Sequence, residues 1–308
     1  MSQLHVSAAP HIHSGNTTSK VMRDVIIAML PAAIASVVLF GMKSLVLIAA
    51  CVIGCVASEW IFNKAVGKKC TCGDLSAAVT GLLLALNLST NVPVWQCIVG
   101  SIFAMVIVKG MFGGIGRNIV NPAIAARVFM LVAFAEVAGG AACVLTDATT
   151  SATPLETLAP GAEGLPTMME LFLGMHGGTI GETCAAALLI GFAYLLIRKV
   201  IKWHVPVVFV GTVFVLALVF SGFDAVYAAQ HVLTGGLLLG AIFMATDYVT
   251  APVNLRGRIV FAVGCGVITF VIREFCAYPE GVSFSILFMN LLTPLIEEWT
   301  DKEPLGGI

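Results

Sequence analysis

The residues best suited to chemistry lie in a polar run of an otherwise apolar chain, Asp147 to Leu155. The run reads Asp-Ala-Thr-Thr-Ser-Ala-Thr-Pro-Leu and falls in the longest loop between apolar segments. A hydroxyl on an accessible segment with small neighbours can accept a covalently attached group. We therefore expect the chemistry here, the alternative being an ordinary Ser/Thr-rich loop.

A second candidate is Asp247, which follows a short apolar run. Ionisable residues inside membrane segments are functional candidates by default. Thr246 and Thr250 add oxygen ligands, so the three side chains could couple to a cation or a proton, while a helix-capping role for Asp247 is the alternative. Other ionisable residues in or near apolar segments are Arg127, Glu274, Glu59 and Glu136, the last two expected at the membrane interface.

A glycine-rich segment between two apolar runs is the third candidate. Glycines permit positive φ or a close backbone approach, and the Asn-Pro pair that ends the segment has helix-start preferences. A helix start beside an arginine suits an anion or a polar ring system. A tight turn and a cofactor site are both open for Gly113, Gly114, Gly116, Arg117, Asn118 and Asn121.

The composition predicts the elements that position these residues. Hydrophobic residues make up 59% of the 308 and charged residues 11%, against roughly 25% charged in soluble domains. Membrane-spanning helices need about 20 apolar residues, and backbone groups in lipid must be satisfied within the helix. We predict an all-α polytopic membrane protein with about ten spans: 21–40, 44–62, 75–88, 92–111, 122–137, 182–197, 205–220, 232–244, 259–275 and 282–296.

Basic residues predict the orientation. If the N-terminus is cytoplasmic, most of the 16 Lys and Arg fall on the cytoplasmic side, as the positive-inside rule expects. The prediction is a prokaryotic cytoplasmic (inner) membrane protein with both termini cytoplasmic. It has a cytoplasmic arm over 1–20, and its loop 139–181, which carries Thr153, is extracytoplasmic.

A weak internal repeat divides the spans into two sets of five. Thr80-Gly81-Leu82 and Thr234-Gly235-Gly236 open similar short runs, and both runs break into polar residues as half-helices do. An odd number of spans per repeat inverts the second copy, and ligands of such folds bind near broken helices. The predicted units are residues 21–138 and 182–308.

Several classes are set aside on composition. The formal charge of −1 gives no nucleic-acid footprint. The nine cysteines are mostly in predicted helices, where Cys acts as a small hydrophobe. Neither the Cys70-Thr71-Cys72 pair nor His11 with His13 has the spacing of a full metal site, so we predict no metal.

The loop run resembles a recognition motif of flavinyl transferases, Asp-x-x-[Ser/Thr]-Gly-Ala-Thr. Asp147, Thr150, Ser151, Ala152 and Thr153 match it, with Ser151 in place of the usual Gly. The resemblance implies FMN attached to Thr153 through a phosphoester, by a transferase that works outside the cytoplasm.

The likeness extends over nearly the whole chain. Segments 7–13, 18–22, 113–123, 245–252 and 278–290 resemble the D-subunit family of the Rnf complex, an ion-pumping ferredoxin:NAD oxidoreductase. The B subunit of the sodium-pumping NADH:quinone reductase is related. The resemblance implies covalent FMN, a noncovalent riboflavin between the helices, single-electron relay coupled to Na⁺ or H⁺ translocation, and sister Rnf subunits as partners. Hydride transfer to NAD would occur on another subunit, so no catalytic residue is assigned here.

A secondary transporter of a small solute is the rival class. Inverted repeats, broken helices and polar residues at the membrane midplane are also typical of transporters. The modification motif argues against this class, and a channel or scaffold role is a third, weaker alternative.

Overall fold

The computed structural model describes residues 17–68, 71–134, 155, 158, 166–276 and 280–301. In these ranges every regular element is a helix, which confirms the all-α class. Some sequence predictions lie outside the described residues: Asp147, Thr150, Ser151, Ala152, Thr153, Glu136, Cys70, His11 and His13.

The described residues of the first half form five longer helical stretches and a short 3₁₀-helix, Cys72–Asp74. The longer stretches are α1, Thr18–Phe40; α2, Met42–Val66; α3, Ser76–Leu86; α4, Val94–Ile102, continued by a π-helix over Phe103–Gly110; and α5, Pro122–Ala133.

The second half of the chain contains more helices, and several of them are short. It comprises α6, Met168–Leu173; α7, Ala185–Ile197; α8, His204–Phe220; α9, Ala225–Leu233; α10, Leu237–Leu239, continued by a π-helix over Gly240–Met244; α11, Leu255–Phe275; and α12, Val282–Thr300.

The helices differ in how far they could cross a bilayer. By length and composition, α1, α2 and α11 are long enough, and α9 with α10 counts as a fourth span if the pair is one span bent by 65°. The shorter apolar helices are α3, α4 with its π-helix, α5, α7 and α8. The described residues thus form an all-helical protein with a few full-length spans and several shorter apolar helices.

Two elements of the second half differ from the sequence prediction. The span predicted to begin at Val232 begins at Ala225, because the Asp224 carboxylate accepts a hydrogen bond from Val226 N at 2.9 Å and starts a helix there. His231 and its polar neighbour lower the hydropathy of this stretch. The sequence prediction also lacks α6, although the Thr167 side chain and its Glu170 partner form a capping box at its start.

The Asn-Pro pair starts a helix as predicted. Asn121 Oδ1 accepts a hydrogen bond from Ala123 N at 3.0 Å, and Pro122 occupies the first turn of α5. The side chain satisfies an amide that the helix leaves without an internal partner.

Glycines let helix backbones approach closely. A Cβ on Gly81 would lie 2.7 Å from the Cys51 carbonyl oxygen, which is on α2. A Cβ on Gly191 of α7 would overlap the Ala28 carbonyl oxygen of α1. Such small-residue contacts are typical of helix packing in membranes. They hold α3 against α2 and α7 against α1.

The end of α3 and the end of the second π-helix meet inside the bundle. Asn87 Nδ2, after the end of α3, lies 3.7 Å from Met244 Sδ at the end of the second π-helix. The segment before α7 also reaches this point, where Gly181 N donates to Leu86 O at 2.8 Å. These contacts satisfy polar groups that a helix end leaves unpaired.

Candidate functional sites at the two ends of the bundle

A cleft between the helices brings two of the predicted sites together. Asn118 and Asn121 of the glycine-rich segment line it, and so do Thr246 and Asp247 of the predicted ion site. Thr250 is buried beside the cleft rather than among its lining residues. We call this region the Asp247 end of the bundle.

Local hydrogen bonds engage the Asp247 carboxylate. Its Oδ1 accepts from Val249 N at 3.4 Å and its Oδ2 from Thr250 Oγ1 at 3.1 Å. Thr246 Oγ1 donates to the Ile242 carbonyl at 2.6 Å. These bonds hold the turn around Asp247 and do not cap a helix, since Asn254 caps the next helix, α11. Asp247 also lines the cleft, so ion coupling stays a prediction.

Asn121 links two elements around the cleft. Besides capping α5, its Nδ2 lies 3.5 Å from the Met244 carbonyl oxygen at the end of the second π-helix. The side chain thus has a structural role that does not require a ligand.

The glycine-rich segment has the backbone of a tight turn. Gly113, Gly114 and Gly116 have φ of 116°, 103° and 83°, a region that disfavours other residues. A Cβ on Gly114 or Gly116 would meet no atom within 4 Å, so conformation rather than crowding explains these glycines. Arg117 is exposed. Cofactor binding by the segment stays a prediction.

A buried ion pair that the sequence did not predict lies beside the cleft. Lys109 Nζ lies 2.7 Å from Glu59 Oε1, and Thr71 Oγ1 donates to the same oxygen at 3.0 Å. Lys109 and Glu59 are 4% and 5% exposed, so both side chains are buried among the helices, and the interfacial depth of Glu59 stays a prediction. The Lys109 ammonium folds inward onto α2 because Glu59 is there, and a pairing across fifty residues has no local signal in the sequence.

A second cluster of charges lies at the opposite end of α11, which we call the Glu182 end. Arg127 Nη2 lies 3.1 Å from Glu280 Oε2, and the Arg127 side chain is almost fully buried. Arg273 Nη1 and Nη2 donate to the carbonyls of His231 at 2.6 Å and Thr234 at 3.2 Å. With 21 residues, α11 separates the two ends by about 30 Å.

Glu182 and Glu274 complete this cluster. Glu274 Oε1 accepts from Tyr227 Oη at 2.8 Å and lies 3.0 Å from His231 Nε2. Glu182 is 6% exposed, and its Oε1 accepts from Thr179 N at 2.9 Å. The sequence singled out Arg127 and Glu274 but missed Glu182, Glu280 and His231, which lie at helix ends and in loops.

The described part of the long loop reaches the same cluster. A Cβ on Gly235 would lie 3.0 Å from Leu155 Cδ2 and 2.9 Å from Arg273 Nη2. Leu158 packs on a small hydrophobic cluster with Phe270. Leu155 therefore lies against the break between α9 and α10.

The cysteines that the structure describes behave mostly as small hydrophobes. Cys51, Cys55, Cys97 and Cys265 are buried, as predicted. Across the described residues, no group of three or more His, Cys, Asp or Glu side chains could hold a metal ion.

Comparison with known proteins identifies the family. Residues 5–306 match the model of the NQR2, RnfD, RnfE family. The chain belongs to this family. The resemblance predicted from the sequence is thereby confirmed, and the match leaves out only the first four and last two residues. Membership agrees with the multi-pass membrane protein that the apolar helices indicate.

Relatives within the family are similar over nearly their full lengths. The chain is 47% identical to the D subunit of the Na⁺-translocating ferredoxin:NAD⁺ oxidoreductase complex of Acetobacterium woodii, covering 99% of this chain and 96% of the relative. It is 39% identical to the D subunit of the proton-translocating complex of Clostridium ljungdahlii, covering 98% and 96%. The D subunit of an ion-translocating oxidoreductase complex of Halorhodospira halophila is 36% identical, covering 97% and 94%.

Proposed function

We propose that this chain is the D subunit of an ion-translocating ferredoxin:NAD⁺ oxidoreductase complex and relays electrons through FMN attached to Thr153. The observation that carries the proposal is the 47% identity to such a subunit over 99% of the chain. The motif from Asp147 to Thr153 supports the attachment site. Other Rnf subunits and a flavinyl transferase would be its partners.

The packing supports ten spans in two inverted repeats. If α1 to α5 correspond to α7, α8, the bent α9–α10 pair, α11 and α12, then equivalent elements pack on each other. Helix α1 packs on α7, and α5 packs on α12. The third pair meets at Asn87 and Met244. A two-fold relation between units 21–138 and 182–308 accounts for all three contacts.

The residues near Leu155 suit a phosphoester on the preceding segment. Leu155 is two residues after Thr153, and it lies beside the guanidinium of Arg273. Guanidinium groups bind phosphate oxygens in charge-assisted hydrogen bonds. FMN bound there would supply a centre that accepts and passes electrons one at a time, while the protein fixes its position.

The cleft at the Asp247 end suits a noncovalent riboflavin. Apolar side chains such as Val79, Leu83 and Ile201 line it together with Asn118 and Asn121. Mostly apolar walls with a few polar groups are typical of small-molecule and cofactor sites. In this assignment Asn118 and Asn121 would bind the polar edge of the ring system.

The proposed topology has both termini in the cytoplasm and the Thr153 loop outside. Under it, Lys109 and Asp247 lie toward the cytoplasm and Glu182 lies toward the outside. Electrons would have to pass between the two ends of the bundle, and Na⁺ or H⁺ would move in step with them.

The transporter alternative predicts no attached flavin, so one experiment separates the two classes. The complex is purified from its native host and run on a denaturing gel under ultraviolet light. We expect a fluorescent band at the mass of this chain, and mass spectrometry should locate FMN on Thr153.

Matched variants locate the attachment. Thr153→Ala should abolish the fluorescent band, because its hydroxyl forms the phosphoester, whereas Thr149→Ala should keep it. The helices should stay assembled in both variants. A fluorescent Thr153→Ala protein would refute the attachment site, and a wild-type protein without flavin would favour the transporter class.

A further inference from the structure

We propose that Glu182 and Glu280 form a site for one exchangeable monovalent cation, a proton or a sodium ion, at the Glu182 end of the bundle. Two carboxylates from separate elements converge there on the backbone break between α9 and α10. The site is distinct from Asp247, which lies at the other end of α11.

The first observation is an unpartnered carboxylate oxygen. Glu182 is 6% exposed and its Oε1 accepts from Thr179 N. Its Oε2 is buried, and no described residue gives it a hydrogen bond. An ionised carboxylate oxygen left without a partner away from water is costly, so a bound cation or a proton would stabilise it.

The second observation is the position of Gly236. A Cβ on Gly236 would lie 2.6 Å from Glu280 Oε1 and 3.2 Å from Glu182 Oε2. Both carboxylates therefore approach one point, which the missing side chain leaves open. The φ of Gly236 is −74°, so its backbone conformation alone does not call for glycine. We infer that glycine stands here because any side chain would fill the space between the two carboxylates.

The third observation is the charge balance of the cluster. Three carboxylates, those of Glu182, Glu274 and Glu280, face two guanidiniums, those of Arg127 and Arg273. The His231 ring also faces Glu274. The carboxylates of the cluster thus outnumber its guanidiniums by one, and one bound cation would balance that difference.

The site takes its transport role from the proposed function, but its occupancy can be tested without electron transfer. One proton on either carboxylate, or one Na⁺ between Oε2 of Glu182 and Oε1 of Glu280, satisfies both oxygens. Oxygen ligands and a desolvated pocket suit either ion. No redox step is involved, since the cation binds and leaves unchanged.

The test is infrared difference spectroscopy on the purified whole complex in sodium-free buffer. We expect a protonated-carboxyl C=O signal in the wild type that disappears when pH is raised. If Na⁺ is the occupant, adding NaCl at constant pH, with choline chloride as the salt control, removes the same signal. If only pH removes it, the occupant is the proton. Glu182→Gln should lack the signal under all conditions.

A second pair of variants covers the case in which Glu182→Gln does not assemble. Gly236→Ala keeps both carboxyl groups but fills the space between them, so it should abolish the sodium effect or shift the pH response. Gly211→Ala is the matched control, because a Cβ there meets no atom within 4 Å. It should behave as the wild type.

Identical difference spectra for the wild type, Glu182→Gln and Gly236→Ala would overturn the site. The same samples are checked for covalent flavin on a denaturing gel. A flavin-free wild type that keeps the Glu182-dependent signal would count against the proposed function and leave this site standing.

Discussion

Lys109 Nζ lies 2.7 Å from Glu59 Oε1, and less than a tenth of either side chain is exposed. The pair joins α2 to the end of the first π-helix, and Lys109 lines the cleft at the Asp247 end. Both charges are shielded from water. Removing one partner therefore leaves the other as a buried, uncompensated charge, which destabilises the fold.

Lys109→Met should destabilise the protein by about 3–5 kcal/mol, because Glu59 would keep a buried charge without its cation. Thermal unfolding of the purified protein or complex measures the loss. The double variant Lys109→Met/Glu59→Leu should regain most of it, since two apolar side chains leave no stranded charge. A single variant as stable as the wild type would contradict the buried pair.

Gly191→Ala should weaken the packing of α7 on α1. The new Cβ meets the Ala28 carbonyl oxygen, a backbone atom that cannot turn aside, and such overpacking costs about 1–3 kcal/mol. The matched control is Gly211→Ala in α8, where a Cβ meets no atom within 4 Å. If both variants melt at the same temperature, the close helix contact is not present in the protein.

Asp247→Asn should lower ion uptake per electron more than it lowers flavin loading, if Asp247 couples ion movement to electron transfer. The amide oxygen of the new side chain can still accept the hydrogen bond from Thr250 Oγ1, but the negative charge is lost. The measurement is ferredoxin-driven NAD⁺ reduction together with ion uptake in vesicles that contain the complex. Asp224→Asn, which changes a helix-capping carboxylate, is the control. An unchanged ion-to-electron ratio would leave Asp247 with only its structural role in the turn.

Cysteine labelling tests the orientation. In a cysteine-depleted background, Glu163→Cys should react with an impermeant maleimide in intact cells, because the Thr153 loop is predicted to be extracytoplasmic. Lys68→Cys should react only after lysis. The reverse pattern would invert the topology, and with it the side of the membrane on which Glu182 lies.

Local signals predict the helices and some of their ends. Asn121 and Pro122 start α5 as expected, since capping depends on residues a few positions apart. The sequence also indicates interrupted helices near Thr234, although α9 begins at Ala225 rather than at the predicted Val232.

The charged clusters could not be predicted in the same way. Arg127 and Glu280 are 153 positions apart, and Glu182 meets Glu280 only because α9 and α10 break at Gly236. Contacts between residues so far apart depend on how the helices pack, and the local sequence around each residue does not predict them. For the same reason the sequence gives no sign that the Glu59 carboxylate pairs with Lys109, a lysine of another helical stretch.

The Arg127–Glu280 ion pair also bears on how the chain is made. Helix α5, with 12 residues, is short for a membrane span and carries Arg127, whose side chain is almost fully buried in the folded chain. Its carboxylate partner is synthesised 153 residues later. This ion pair therefore forms only after the chain has been synthesised as far as Glu280. Truncation before residue 280 should remove one carboxylate from the Arg127 guanidinium and weaken the packing of α5, which makes this pairing a late step of assembly.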